Sequence, residues 1–321
     1  MCGGRAPNEV GDVSRILSLF RLPAVRSLTL SLPSPDGFFN WLGEVPLATN
    51  LISLELHFTY MGPNDLIRLL MACPTIRDLR YDFWTTEPAY LRDRQQDPFD
   101  RTSQALLDIS ALKRALFMVK GSLEIFHFHI SPPLLRWTNQ CLVHLPFNDF
   151  KVLRTLHVPS QMLLGSCRTA KLGESLPSSL VNLWLNDDAT PLWLRHTRYI
   201  DAYDYYHDDA DIVYGRHFHP IRTDLELVTI MADFLAEWRS VTPHLRSILL
   251  LLYDYKECCW SARNSAHIRE SLNPLADKAG LELAVYKLPW RSCYPYKPGV
   301  ASGQVTPYFN LAHIESMRLS E

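Results

Sequence analysis

The pattern apolar-x-x-apolar-x-apolar occurs at Val25-Leu28-Leu30, Leu51-Leu54-Leu56, Ile76-Leu79-Tyr81, Leu123-Phe126-Phe128, Leu153-Leu156-Val158, Leu180-Leu183-Leu185 and Leu245-Ile248-Leu250. A weaker eighth copy starts at Leu281, in LELAVYKL. Successive starts lie 25 to 30 residues apart in four cases, and 47, 65 and 36 residues apart in the other three. In an extended chain the fourth and sixth positions point to one side, and the first anchors the chain as it arrives. Each copy therefore predicts a short strand with one apolar face. A single such unit cannot bury that face, so neighbouring units must cover it.

The segments between copies carry the other periodicity. GPNDLIRLLMACP opens with Pro63 and the capping candidates Asn64 and Asp65, then places Leu66, Leu69 and Leu70 at helical spacing before Pro74. TSQALLDISALKRALFMVKG has Thr102 or Ser103 as cap, apolar positions at Leu106, Ile109, Leu112 and Leu116, and Gly121 as a stop. TDLELVTIMADFLAEWRSVTP runs the same way to Pro243. The stretch LLMACPTIRDLRYDF is thus one helix-corner-strand junction of a recurring kind.

Steps of 25 to 30 residues suit a unit of one strand and one helix, at or slightly above the leucine-rich-repeat period. The expected fold is α/β: a leucine-rich-repeat solenoid, with a curved parallel sheet of about seven or eight strands and helices on its convex side. Its expected organisation is an N-terminal cap at 1–24 and a solenoid at 25–288, followed by an irregular C-terminal cap at 289–321. Long insertions interrupt the solenoid at about 84–102 and 186–222.

Alternation within each strand assigns the third, fifth and seventh pattern positions to the concave face. The fifth positions are Thr29, Glu55, Arg80, His127, His157, Trp184 and Leu249, and the seventh are Ser31, His57, Asp82, His129, Pro159, Asn186 and Leu251. A polar middle with a large aromatic suits a binding surface. The candidate protein-binding residues are Glu55, His57, Arg80, Asp82, His127, His129, His157, Trp184 and Asn186. If their strands are neighbours, His127 and His157 stand about 5 Å apart. Mutual repulsion would then lower their pKa values.

Composition narrows the alternatives. With 47% hydrophobic and 21% charged residues, the 321-residue chain has the profile of a folded soluble protein. A formal net charge of -2 and the lack of basic blocks argue against a nucleic-acid partner. Seven cysteines without a C-x-x-C pair fit reduced thiols in the cytoplasm or nucleus better than a disulfide framework. The first residues, MCGGRAPNEVGDVSR, lack the pattern of a secretory signal, and SILLLLY is too short to span a bilayer, so no membrane partner is expected.

No phosphate loop, G-x-S-x-G turn or Cys-His context for nucleophilic catalysis is present, and neither catalytic nor cofactor-binding residues are assigned. The 186–222 insertion does gather Asp201, Asp204, His207, Asp208, Asp209, Asp211, His217 and His219. Carboxylates with imidazoles are the donor set of a divalent-ion site, although no H-E-x-x-H or calcium-loop spacing occurs. A metal-dependent hydrolase using this insertion is the alternative to a binding module, and a purely structural scaffold is the third reading.

LLMACPTIRDLRY, LPSSLVNLWLND and FLAEWRSVTPHLRSILLLL resemble the repeats of F-box/leucine-rich-repeat proteins, particularly the divergent fungal kind. In those repeats a helix ends in a Cys-Pro or Pro corner before a strand of the form L-x-x-L-x-L. The resemblance covers roughly residues 15–290. The Asn that closes the strand in regular repeats is missing from most copies, with Asn186 one position late, and no F-box is readable before Val25. The resemblance implies an intracellular substrate-recognition module of a ubiquitin-ligase receptor, binding a protein partner, with cullin-ligase components joining if an F-box lies upstream.

Overall fold

The computed structural model of the protein describes residues 19–31, 46–59, 61–84, 108–131, 144–164, 171–186, 224–254 and 265–289. Within them lie eight strands: β1 (Ser27–Ser31), β2 (Ser53–Thr59), β3 (Asp78–Trp84), β4 (Ile125–Ser131), β5 (Thr155–Pro159), β6 (Asn182–Asn186), β7 (Ser247–Asp254) and β8 (Glu282–Pro289). All pair in parallel in one sheet, in chain order from β1 to β8. Every copy of the sequence pattern, including the weak eighth, has become a strand.

The helices with both ends among the described residues are α1 (Pro63–Ala72), α2 (Ile109–Phe117), the short α3 (Ser160–Leu164), α4 (Asp224–Val241) and α5 (Ser265–Ala279); a 3-10 turn occupies Leu172–Ser175. Each strand steps to the next neighbour on the same side. Right-handed crossovers then bring the connecting helices to a single face of the sheet. Burial follows suit. Leu54 and Leu56, Leu79 and Tyr81, Phe126 and Phe128, Leu156 and Val158, Leu183 and Leu185, and Ile248 and Leu250 point at the helices and are buried. They meet Leu66, Leu69 and Leu70 of α1, Leu112 and Leu116 of α2, Met231 and Phe234 of α4, and Ile268 and Leu272 of α5 in one core.

Backbone hydrogen bonds register the units even where the sequence step is long. The Arg26 carbonyl accepts from both Ile52 and Ser53, and Ile52 from both Arg77 and Asp78. The same forked bond recurs from Arg77 to Glu124 and Ile125, from Glu124 to Arg154 and Thr155, from Arg154 to Val181 and Asn182, and from Val181 to Arg246 and Ser247. Insertions of very different length thus leave the start of each strand unchanged. The corner before it is equally regular. The N–H of Val25, Ile76 and Leu245 donates to the carbonyl three residues back, on Leu22, Cys73 and Thr242, with Pro23, Pro74 and Pro243 at the second turn position. Proline suits that place because its fixed φ starts a turn and cannot continue a helix.

Several expectations need correction. Asn64 and Asp65 do not cap α1: the cap residue is Gly62, with no side-chain bond, and Pro63 opens the helix. A proline lacking an N–H is already arranged for the first helical position, which moves the cap two residues before Asn64, to Gly62. α2 is capped by Asp108, whose Oδ1 accepts from the Ala111 N–H at 2.9 Å; Thr102, Ser103 and Leu106 lie outside the described residues. α5, for which the sequence pattern sets no expectation, carries Pro274 inside it. It ends at Gly280, φ 73°, where the Leu281 N–H reaches back to the Ala276 carbonyl at 3.0 Å, a left-handed close that glycine adopts without strain.

The sheet is not curled, contrary to the expected curvature. Bending requires a helix layer wider than the strand layer: helices pack 8–10 Å apart, against about 4.8 Å between strands. Among the described residues that wedge is thin between β4 and β6, where only the five-residue α3 and the 3-10 turn intervene.

Candidate functional site

The face opposite the described helices, here the helix-free face of the described residues, carries three side-chain rows, two of them in register across all eight strands. The first runs Ser27, Ser53, Asp78, Ile125, Thr155, Asn182, Ser247, Glu282. The second runs Thr29, Glu55, Arg80, His127, His157, Trp184, Leu249, Ala284. The third holds His57, Asp82, His129, Pro159, Asn186, Leu251 and Tyr286, paired from Asp82 to His129 and from Pro159 to Tyr286, with a register shift between β2 and β3 after Leu56. Eight strands thus align residues up to 255 positions apart in sequence, Thr29 and Ala284 among them.

On β2 and β3 the rows form one ionic network. His57 lies between two carboxylates, with Nδ1 2.7 Å from Asp82 Oδ2 and Nε2 3.2 Å from Glu55 Oε2. A carboxylate only accepts, so both contacts are hydrogen bonds when both ring nitrogens carry protons, as in the imidazolium that this site favours. Arg80 Nε stands 3.3 Å from Glu55 Oε1 and 3.5 Å from Asp78 Oδ1. These are ion pairs by distance but lack hydrogen-bond alignment, since neither Arg80 Nε nor Asp78 Oδ1 has a hydrogen-bond partner in the described structure. The Thr29 hydroxyl donates to Glu55 at 3.4 Å. These side chains are roughly a fifth to a third exposed.

The hydrogen bond to Asp82 raises the His57 pKa above its ordinary value; burial opposes it, and Glu55 adds to the rise. Asp78 is also raised, mainly by burial, with Arg80 offsetting part of the effect. A raised folded-state pKa means stability that is present below the unfolded value near 6.5 and lost as pH rises through the folded one. His57→Gln is therefore expected to cost more at pH 6 than at pH 9. The difference should be within about 1 kcal/mol, because the pair is partly solvated. Urea denaturation of both proteins at the two pH values checks this, and equal costs would contradict it.

On β4 to β6 the same row becomes a ring cluster. His127 and His157 have centroids 5.3 Å apart, and the Trp184 indole lies 5.5 Å from each. The expected adjacency of the two histidines is thus met. Burial is the main cause that pushes His127 down to about 2, with His157 and then Arg80 adding repulsion. The repulsion expected from the histidines' adjacency is the smaller contribution. As oriented, the Asn186 amide donates to His157 Nε2 at 3.1 Å, which leaves the ring proton on Nδ1.

The face is not uniformly open, as the alternation alone had implied. His129, His157 and Asn186 are buried, as are Leu249 and Leu251, whereas His127 and Trp184 keep partial exposure. A residue's row decides which way it points, not what lies over it. Asp78 joins the network but falls outside the candidate set. The same alternation read one step earlier in the strand would have found it. Asn182, bonded to Thr155 at 3.2 Å and accepting from Ser247 at 2.8 Å, extends that row as a hydrogen-bond ladder.

One serine-histidine contact exists on the helix side. His144 Nε2 lies 2.5 Å from Ser175 Oγ, which itself donates to the Leu163 carbonyl at 2.9 Å. With the hydroxyl proton committed to a carbonyl, His144 must be the donor, and Ser175 is fully buried. The pair fastens residue 144 to the 3-10 turn and is not arranged as nucleophile and base. The described residues contain no group of three or more metal-ligating side chains arranged around an ion. The Asp/His-rich set from Asp201 to His219 lies outside the described residues. Among the described residues no helix is long and apolar enough to cross a membrane.

No protein-family model matches the chain, and no curated protein matches it at a significant level.

Proposed function

We propose that this chain is a leucine-rich-repeat solenoid acting as a protein-interaction module, with the helix-free face as its docking surface. The observation that carries the reading is the registered row from Thr29 to Trp184, which joins ionic, imidazole and indole groups on a rigid parallel sheet. A sheet held by one core positions such groups without a further ordering cost, which favours recognition. The resemblance of the repeats to F-box/leucine-rich-repeat proteins adds the role: the substrate-recognition part of a ubiquitin-ligase receptor, in the cytoplasm or nucleus.

The test is affinity purification from the source cells with wild type and a Glu55→Ala/Arg80→Ala/Trp184→Ala variant whose fold is verified by circular dichroism. The expected result is a distinct set of proteins retained by wild type and lost by the variant. Cullin-ligase components held by both would support the receptor role. An identical set of co-purifying proteins with the two chains, or none with either, would refute docking on this face.

A further inference from the structure

The helix-free face changes character along its length. The β2–β3 end holds three carboxylates, Glu55, Asp78 and Asp82, against two cations, Arg80 and the His57 imidazolium, so one negative charge is left over. Asp78 Oδ1 is closed to solvent and faces Arg80 Nε at 3.5 Å, so the partly exposed Glu55 and Asp82 present the negative charge to a partner. The cluster already holds two cationic groups, so a third cation meets carboxylates accustomed to that geometry. A phosphate backbone would instead meet three like charges.

Three and four strands away in the same row is Trp184, partly exposed, with its indole braced by His127 and His157. At about 4.8 Å per strand, Trp184 lies about 14 Å from the β3 groups and about 19 Å from Glu55. An extended polypeptide advances about 3.3 Å per residue, so that interval corresponds to about four to six residues.

We propose that the partner docks through an extended segment that sets an Arg or Lys at the Glu55–Asp78–Asp82 carboxylates and, four to six residues away, an aromatic or aliphatic side chain against Trp184. This rests on the interaction-module reading above and names its partner class: a basic polypeptide segment. The ionic half supplies specificity and a salt-dependent association rate, and the indole supplies a desolvated anchor.

The experiment is selection of a random 12-residue peptide display library against the full chain. Selected peptides are then titrated against wild type, Glu55→Gln/Asp82→Asn, Asp78→Asn and Trp184→Ala, with thermal melts of all four proteins. The expected result is enrichment of Arg or Lys four to six residues from an apolar residue. Binding should weaken roughly fivefold for each charge-neutralised site and decline with added salt. If peptides lose affinity with Trp184→Ala but carry no basic bias and ignore both carboxylate variants, the basic-segment proposal fails and docking on this face survives. If the peptides ignore every substitution, or if none is selected, both fail. Should the double variant melt early, Asp78→Asn decides the ionic half alone.

Discussion

Replacing Phe126 with alanine is expected to cost about 3–5 kcal/mol, a large part of the roughly 5–15 kcal/mol that holds a domain together. Phe126 is fully buried and packs its ring against Phe128 and Phe147, at centroid distances of 6.3 and 5.7 Å. It stands where most other units have leucine, so the cavity left by alanine would be larger than at those positions. Phe126→Leu should cost much less, about 1.5 kcal/mol or under, because it retains most of the volume. Chemical denaturation of the three proteins at pH 7 measures both values. The position is informative because β4 follows the 47-residue step. A loss below 1 kcal/mol with alanine would mean that β4 does not share the core that joins β3 to β5.

Acidification is expected to destabilise the protein through His127. Its folded pKa lies far below the ordinary value, chiefly because the ring is largely, though not fully, withdrawn from solvent beside His157 and Trp184. A depressed folded pKa means stability that is complete above the unfolded value near 6.5 and declines as pH falls below it. Between pH 6.5 and 5 the loss should approach about 2 kcal/mol, at 1.36 kcal/mol per pH unit. His127→Gln keeps a polar side chain of similar reach but cannot titrate, so its stability should lose that portion of the acid slope. Melting profiles between pH 7 and 4.5 compare the two. Unchanged acid sensitivity in the variant would show that His127 does not carry it. The opposite sign at His57, which gains from protonation, makes the two histidines separable in one pH series.

The distinction between these histidines was only half legible beforehand. Alternation placed His57 and His127 on one face, and the spacing of starts made His127 a neighbour of His157. What the pattern could not say is that His57 would be held by two carboxylates on two strands while His127 faced an indole. That depends on which strand lies beside which, and on the ring orientations that packing allows. Alternation also places Asp78, a third-position residue, on this face, but its ion pairing depends on Arg80 and Glu55 being brought beside it. At the helix ends, local chemistry misled in the other direction. Asn64 and Asp65 are good capping residues, but Pro63 before them had already set the boundary. Pro274 sits inside a helix whose buried stripe, Ile268, Leu272 and Ala276, outweighs the one backbone bond that the proline removes.

By itself, the sequence determined the strands, their order-independent apolar face and the helix-corner-strand unit, because these follow from periods of 2 and 3.6 residues and from proline's fixed φ. Those are local properties of the chain. Only the tertiary structure decided that eight strands form one continuous parallel sheet in chain order across steps as long as 65 residues, which residues of the helix-free face remain accessible, and which charges meet there. Such facts arise from distance and burial between residues remote in sequence, where electrostatic and packing energies change steeply and periodicity carries no information.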